Sequence, residues 1–571
     1  MKPRAIFSVV LLLVTAAQAC APATSSPQRA VGQQQASVPA PMAPKRIVVA
    51  MMGEAHTVYN KLNLGNGVPG IDTLEELVAS GLVNIDSQGN LRPQFAEAVP
   101  TLENGLWKVE PDGGMELTYR IRPGARWHDG TAFTAEDLVF TSQVMQDREL
   151  AVLRDANYTF LDSVDAVDPS TLVVRWRQPF INADMLFSRR LTLPLPKHIL
   201  AQPFADDKAS FLTLPYWSQD FVGTGPFKIR TYQRGDHLIL EANEHYVPAR
   251  PKIDQIEVRF ILDANTLVAN VLAGEVDLTL GRTLSLDQAI ELRDQWRDGK
   301  MDLAPSFLYR IWPQLVNPSP AAIGDVQFRQ AALHALDRQQ MVDTFQFGLA
   351  AVAETFLPPN RPEYADIERG IPRYAYDPRR SMQLIEAMGY TRGADVYSDA
   401  AGNRLSVEIR SSGGDTAQEN PLILSTADYW QRIGVGVDAL FIPAQRNQDR
   451  EYRATRPGFV LRAGASDLPG LQSYTSAQVP RAETNYSGQN DTRYANPEYD
   501  AMWDRYLTTI PMGERMQAAR QLVNHIAEQV IILPIFYRME PTVVSNRLTG
   551  AAARHLNSSQ AWNAELWDVT R

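Results

Sequence analysis

The chain predicts a fold of mixed α/β or α+β class in several domains, not a helical bundle or a β-sandwich. RIVVAM at 46–51 is a β-branched run, and HLILEA at 237–242, KIDQIEVRFI at 252–261 and LSVEIRSS at 405–412 are further strand-like runs. Between them recur helix starts in which a short polar side chain precedes an apolar-periodic run, at Thr134, Asp325, Asp377 and Asn496. Strands and helices that alternate along a chain build layered α/β or α+β domains. Length adds a third observation, because 571 residues exceed what one hydrophobic core organises and suggest about three domains.

In chain order, Lys2 and Arg4 precede an apolar run from Ile6 to Val14. That run is shorter than the ~20 residues a membrane span needs, so 1–19 is expected to be an export signal. Ala17, Gln18 and Ala19 lead to Cys20, the only cysteine of the chain. The arrangement resembles the bacterial lipoprotein signal, which implies cleavage before Cys20, acylation of its thiol and a membrane anchor. Ala17 and Gln18 depart from that signal, which more often holds leucine and a small residue there. Plain secretion with an incidental cysteine is the alternative. Without a second cysteine no intrachain disulfide forms, so the fold must rest on its core. From Cys20 to Lys45 the chain is rich in Ala, Ser, Gln and Pro, and is expected to be a disordered leash.

RIVVAM opens the globular body. TLEELVASGLVNID at 73–86 reads as a helix ending at Gly81, then a strand that turns at DSQGN. In MELTYRIRPGARWHDGTAFTAEDLVFTSQVM at 115–145, Leu117, Tyr119 and Ile121 alternate with polar neighbours as a half-buried strand does. Pro123 with Gly124, and His128 with Asp129 and Gly130, make turns. Thr134 then caps a helix whose first turn carries Glu136 and Asp137, where the helix dipole favours negative charge. Asp325 opens VQFRQAALHAL, Asp377 with Pro378 opens a helix ending at Gly389, and Asn496 with Pro497 opens EYDAMWDRYL. VIILPIFY at 530–537, interrupted by Pro534, reads as a buried strand.

Composition narrows the function. Hydrophobic content of 44% and charged content of 21% are ordinary for a globular protein, and the net charge of −10 argues against nucleic acid or anionic membrane as partners. No pair of histidines has the i, i+4 spacing of a helix-borne metal site, and no metal or cofactor is expected. His128 beside Asp129 reads as a turn histidine bonded to local backbone, since no nucleophile motif accompanies it. Neither G-x-S-x-G nor a P-loop occurs. Gly65, Gly67 and Gly70 match G-x-G-x-x-G, but no strand runs into the first glycine and Pro69 stiffens the loop, so a dinucleotide site is not expected.

Taken in order, longer segments carry a resemblance. LTYRIRPGARWHDGTAFTAEDLVFT, VGTGPFKI at 222–229, LEANEHYVPARPKIDQIEVRFI, AGEVDL at 273–278, DVQFRQAALHALDRQQMV, YDPRRSMQLIEAMGY, YANPEYDAMWDRYL and AWNAELWDV follow one another across 46–571. Together they resemble the extracytoplasmic solute-binding proteins of ABC importers, family 5, of oligopeptide, dipeptide and nickel-binding type. The resemblance implies an α/β, two-lobed periplasmic-binding-protein fold of type II, in its large three-domain variant. It implies a lobe I from 46–83, 190–283 and 530–571, an inserted domain at 84–189, and a lobe II at 284–529. The implied function is a non-enzymatic, monomeric, extracytoplasmic receptor that closes on a peptide or similar small solute and delivers it to a membrane permease. An exported enzyme, or a sensor or adhesin lipoprotein, are the alternatives on the same scaffold.

The resemblance also points to ligand-binding residues. Peptide-binding members hold the peptide's ammonium on an aspartate in a stretch like R-x-G-W-x-x-D-Y, and LRAGASDLPG here places Arg462 and Asp467 at the matching charges. The tryptophan is missing, the Arg–Asp gap is one residue shorter and Leu468 replaces the aromatic. An aspartate capping a local turn is the alternative for Asp467. Phe140 falls where some relatives place a ligand-facing tyrosine, with core packing beside Leu138, Val139 and Val144 as its alternative. Gly223 and Gly225 are expected to serve backbone geometry.

Overall fold

The computed structural model describes residues 43–63, 68–153, 156–413, 416–446, 448–553 and 558–570. The export signal, Cys20, most of the leash, and Gly65 and Gly67 lie outside the described residues. Two long antiparallel strands, Gly299–Pro313 and Leu533–Ser545, form the spine of the molecule. At one end Val544 pairs with Leu278, and the sheet continues through Arg46–Met51, Gln255–Phe260, His237–Ala242 and Phe227–Gln233. At the other end Leu308–Pro313 pair with Phe459–Gly464, followed by Ser406–Ser411 and Gly436–Leu440. One 10-stranded sheet therefore runs through two separately packed halves.

The apolar alternation decides what each half buries. Ile47 and Val49 pair in parallel register with Ile256 and Val258, and all four are buried in one large cluster. Side chains of the second half collect in their own clusters, including Tyr309, Ile311, Val407, Ile409, Phe459 and Leu461 on one face of its sheet. Trp312, Val460, Phe356 and Tyr474 pack on the other face. Leu284, Ala289, Leu292 and Trp296 lie in the segment assigned from sequence to lobe II, yet they pack with Ala50, Leu267 and Val543 of the first half. Conversely Val530, Leu533, Ile535 and Phe536 pack into the second half. The chain changes halves inside the two-strand ribbon, later than a boundary at 284 or 530 would place it.

A register shift breaks the ribbon between Pro305 and Leu308, leaving Ser306 and Phe307 without ladder partners. Proline has no N–H to give a ladder, and such irregularities bend and twist the strand that carries them. A second shift, between Tyr309 and Arg310, lies where Pro534 stands opposite. Pro534 thus sits within the strand because the pairing is already irregular there.

The segment 107–176 forms a separate four-stranded sheet in the order Trp107–Val109, Met115–Arg120, Thr171–Trp176, Leu161–Asp168. Its inner residues Leu117, Tyr119, Leu172 and Val174 join the first half's cluster. The helix Ala135–Gln146 begins as its sequence requires, with a Thr134–Asp137 capping box. Asp137 also accepts the Trp127 indole N–H at 3.2 Å and the Lys197 N–H at 2.9 Å. Asp325, Asp377 and Asn496 cap their helices by accepting the N–H groups of Gln327, Arg380 and Glu498.

His128 bonds a distant loop and not its own turn. Its Nδ1 accepts the Gly223 N–H at 3.2 Å, so the proton sits on Nε2, which donates to the Gly225 carbonyl at 3.1 Å. Both glycines are pressed onto the end of the helix Ile71–Val78, where a Cβ on Gly223 would lie 2.0 Å from the Val78 carbonyl oxygen. Burial pulls the imidazole down to about 4, since a second proton would both be desolvated and displace the Gly223 N–H. The folded chain therefore refuses a proton that the unfolded histidine, near 6.5, accepts. Stability from this group is complete above about pH 6.5 and declines by up to ~3 kcal/mol as pH falls toward 4. Urea unfolding at pH 7, 5.5 and 4.5 should show a smaller acid loss for His128→Gln than for the native protein, and equal losses would contradict this assignment.

Candidate ligand cleft

Where the halves face each other, a cavity of about 170 Å³ lies against the bulged part of the ribbon. Pro305, Ser306 and Phe307 form one side together with Glu540 and Thr542 of the partner strand. Arg190, Gly281 and Gln560 come from the first half, and Ala465, Ser466 and Asp467 from the second. The bulge turns side chains that would otherwise be locked in a ladder toward this space.

Asp467 is set by its local sequence. It precedes Leu468 and Pro469 and caps the short 3-10 helix Leu468–Tyr474, accepting the Gly470 N–H on Oδ1 at 2.9 Å. Its other oxygen lies 3.3 Å from Nη2 of Arg190, so an ion pair crosses the cleft. The pair is partly screened, with side-chain exposures of 32% for Arg190 and 12% for Asp467. Asp467 therefore caps a local turn, the alternative the sequence offered, and also lines the space between the halves.

Arg190 is held from behind. Its neighbour Arg189 points the opposite way, 3.4 Å from Glu76 and 3.9 Å from Asp72 on the helix Ile71–Val78. Burial raises Glu75, on the same helix, to about 7, and its carboxyl accepts the Asn60 N–H at 2.8 Å. Gln560 braces the adjoining wall by accepting the Gly281 N–H at 2.8 Å and donating to the Thr279 carbonyl at 3.0 Å. Glu540 borders a second cavity of about 320 Å³, lined also by Met52, Ala264, Leu284, Gln346 and Arg538. Arg538 lies over the Phe307 ring at 5.1 Å.

Arg462 does not share the cavity with Asp467. It ion-pairs with Asp491 and stands opposite Arg310 in the ladder, on the face with Val460 and behind the cleft wall. Phe140 is 3% exposed in the first half's core and meets the Phe204 ring edge-on at 5.6 Å. Its side chain cannot face a ligand there, because packing has taken its whole surface. Arg190, Glu540 and Gln560 escaped sequence reasoning: no local pattern marks residues that meet only after distant strands pair.

Two α/β halves, a bent two-strand ribbon between them and a charged, enclosed space at the bend define a two-lobed ligand-binding protein. The family model "Bacterial extracellular solute-binding proteins, family 5 Middle" matches residues 91–485, and the chain belongs to that family. It is an extracytoplasmic solute-binding receptor. It is similar to the oligopeptide-binding protein AppA of Bacillus subtilis (strain 168), at 27% identity over 98% of each chain. Its fold is similar to that of an oligopeptide-binding protein from Thermus thermophilus complexed with pentapeptide, with TM-score 0.71 and 22% identity over 92% of this chain and 97% of that one. NikZ from Campylobacter jejuni, in complex with Ni(L-His), gives TM-score 0.72 and 20% identity over 92% of this chain and 99% of that one. Among the described residues no helix is long and apolar enough to cross a membrane.

The positions of Phe140 and Asp467 make separable expectations. Phe140→Ala should cost about 3–5 kcal/mol of stability by emptying a packed site, while the folded fraction keeps its ligand affinity. Chemical denaturation and titration calorimetry on the same preparation measure the two quantities.

Proposed function

We propose that this receptor captures a peptide or a comparable small solute between its halves and hands it, chemically unchanged, to the permease of an ABC importer. The observation that carries this reading is Asp467, a carboxylate fixed by its own helix cap on the cleft wall, which suits a ligand ammonium. Similarity to an oligopeptide-binding protein and to ABC transporter peptide-binding proteins supports the same reading. In the present arrangement Arg190 occupies the position a ligand's cation would take. A ligand with a free amino terminus competes with Arg190 for Asp467, and a ligand carboxylate can in turn satisfy Arg190. That exchange links ligand charge to closure, because the ion pair it replaces spans the two halves.

The halves move about the bulge at Ser306 and Phe307, and the lobes exchange within the ribbon at Gly299–Pro313 and Leu533–Ser545. The segment 84–189 is an inserted domain resting on lobe I. Closure without turnover accounts for the site: its charged groups are paired with one another, and none is poised as a base beside a nucleophile. The protein works as a monomer, tethered by acyl chains on Cys20, since two or more chains make anchoring stable.

Peptide pools incubated with the native full chain, followed by mass spectrometry of what stays bound, test the receptor reading. Recovery of intact peptides supports it, and consumed substrate or no bound solute refutes it. Asp467→Asn keeps the capping oxygen and should weaken capture of peptides with free amino termini about 10- to 100-fold, with little effect on N-acetylated ones. Arg190→Gln should shift unliganded protein toward a larger radius of gyration in solution scattering, by an amount set by a pair of ~1 kcal/mol or less. For the anchor, Cys20→Ser should abolish incorporation of labelled palmitate and release the protein from the membrane fraction.

A further inference from the structure

Behind the Asp467 wall, neighbouring strands of the second half carry arginines on one face. Arg310 stands directly opposite Arg462 in the ladder, and Arg410 lies one strand further, paired with Val460. Like charges in direct cross-strand register destabilise a sheet. The guanidiniums of Arg310 and Arg462 lie over the same Trp312 ring, at 4.3 and 5.4 Å. Arg456 is 3% exposed and spends its outer nitrogens on backbone carbonyls, at 3.2 Å from Trp312 and 3.3 Å from Arg453.

Among the described residues, carboxylates here are fewer than the arginines around them. Asp491 pairs with Arg462, Glu408 with Arg410, and Glu451 accepts the Tyr486 hydroxyl at 3.0 Å. Asp449 is taken by Arg446 at 2.8 Å. Arg410 and Arg462 are thereby paired, and Arg450, Arg456 and Arg493 add further positive charge to the same region. Buried Nε atoms of Arg456, Arg462 and Arg493 have no hydrogen-bond partner; Arg493 lines the larger cavity described next, and Arg456 and Arg462 line the hollow beside it. A buried, unpartnered donor on a charged group is costly, and an anion removes the cost. Burial, opposed by Asp491 and reinforced by Arg462, Arg410 and Arg453, pulls Arg456 down to about 10.

The space for such an anion is present. A cavity of about 180 Å³ is lined by Arg450, Arg453, Arg493, Asp491, Asn490 and Gly488. It exceeds the ~30 Å³ share of a single water several-fold. A narrower hollow among Arg410, Arg453, Arg456 and Arg462 adjoins it, sharing Arg453 and Asp491. Guanidinium forks match the paired oxygens of a tetrahedral oxyanion better than they match a spherical halide.

We propose that this arginine-lined cavity is a binding site for an oxyanion of the phosphate class, separate from the interlobe cleft. The anion meets Arg450 and Arg493 in the cavity wall, replacing repulsion among the guanidiniums with charge-assisted hydrogen bonds. The same chemistry is offered by free phosphate and by a phosphate group on a larger molecule, and two probes distinguish them.

Calorimetric titration of the full native chain with inorganic phosphate, and separately with glycerol 3-phosphate, at a fixed chloride concentration, tests the site. Saturable binding of either is expected, weakening as sodium chloride rises. A tighter glycerol 3-phosphate assigns the group to a larger molecule, and a tighter inorganic phosphate assigns it to the free ion. Arg450→Gln and Arg493→Gln should each weaken binding about tenfold. Arg175→Gln, on the separate four-stranded sheet, and Asp467→Asn, in the cleft, should leave it unchanged. Arg450 is exposed, so its variant folds even where Arg493→Gln does not. No binding of either probe overturns the proposal. Binding that survives Arg450→Gln overturns it as well, and so does binding lost with Asp467→Asn, which would place the anion in the cleft without touching the receptor reading.

Discussion

Everything in this molecule hangs on the pairing of Gly299–Pro313 with Leu533–Ser545. These strands exchange backbone hydrogen bonds with each other along most of their length, and at either end with further strands of the same 10-stranded sheet. A backbone ladder resists stretching and shear yet bends where partners are missing. The halves are thus covalently and cooperatively joined while keeping separate cores. Pro305 and Pro541 stand in this ribbon, and the residues between Pro305 and Leu308 are spared from pairing so that they can serve the cavity.

Electrostatics follows from that architecture. Opposite signs meet across the cleft in Arg190 and Asp467, and each is anchored to its own half by a second interaction. Asp467 is tied by the Gly470 N–H, and the Arg190 segment by Arg189 with Glu76. Each side can therefore part from the other without either losing its shape. The arginine-rich face of the second half is of another kind, because its charges lie within one half and repel each other whatever the cleft does.

Much of the fold was legible because its signals are local. Asp325, Asp377 and Asn496 advertise their helices through bonds to backbone amides two or three residues away. Arg46–Met51 is betrayed by its own β-branched run. The ribbon was not legible in the same way. Its first strand reads GKMDLAPSFLYRIWP, with prolines and no sustained alternation, because it faces different surroundings along its length. The cleft was half legible. Resemblance led to Asp467, but strand alternation sends Arg462, only a few residues earlier, to a different cavity. Phe140 sat in an apolar run where core packing and ligand contact look alike, and only the neighbouring Phe204 ring distinguishes them. Arg190, Glu540 and Gln560 come together across hundreds of residues, and nothing near any of them announces the others.

The brace made by Gln560 carries a consequence of its own. Glu540, Thr542 and Gln560 complete a wall whose other parts, Arg190 and Gly281, stand hundreds of residues earlier in the chain. Until the strand Leu533–Ser545 and Gln560 have docked there is no finished pocket to fill. Capture of a solute therefore waits on the folding of both halves, since neither half by itself encloses the space.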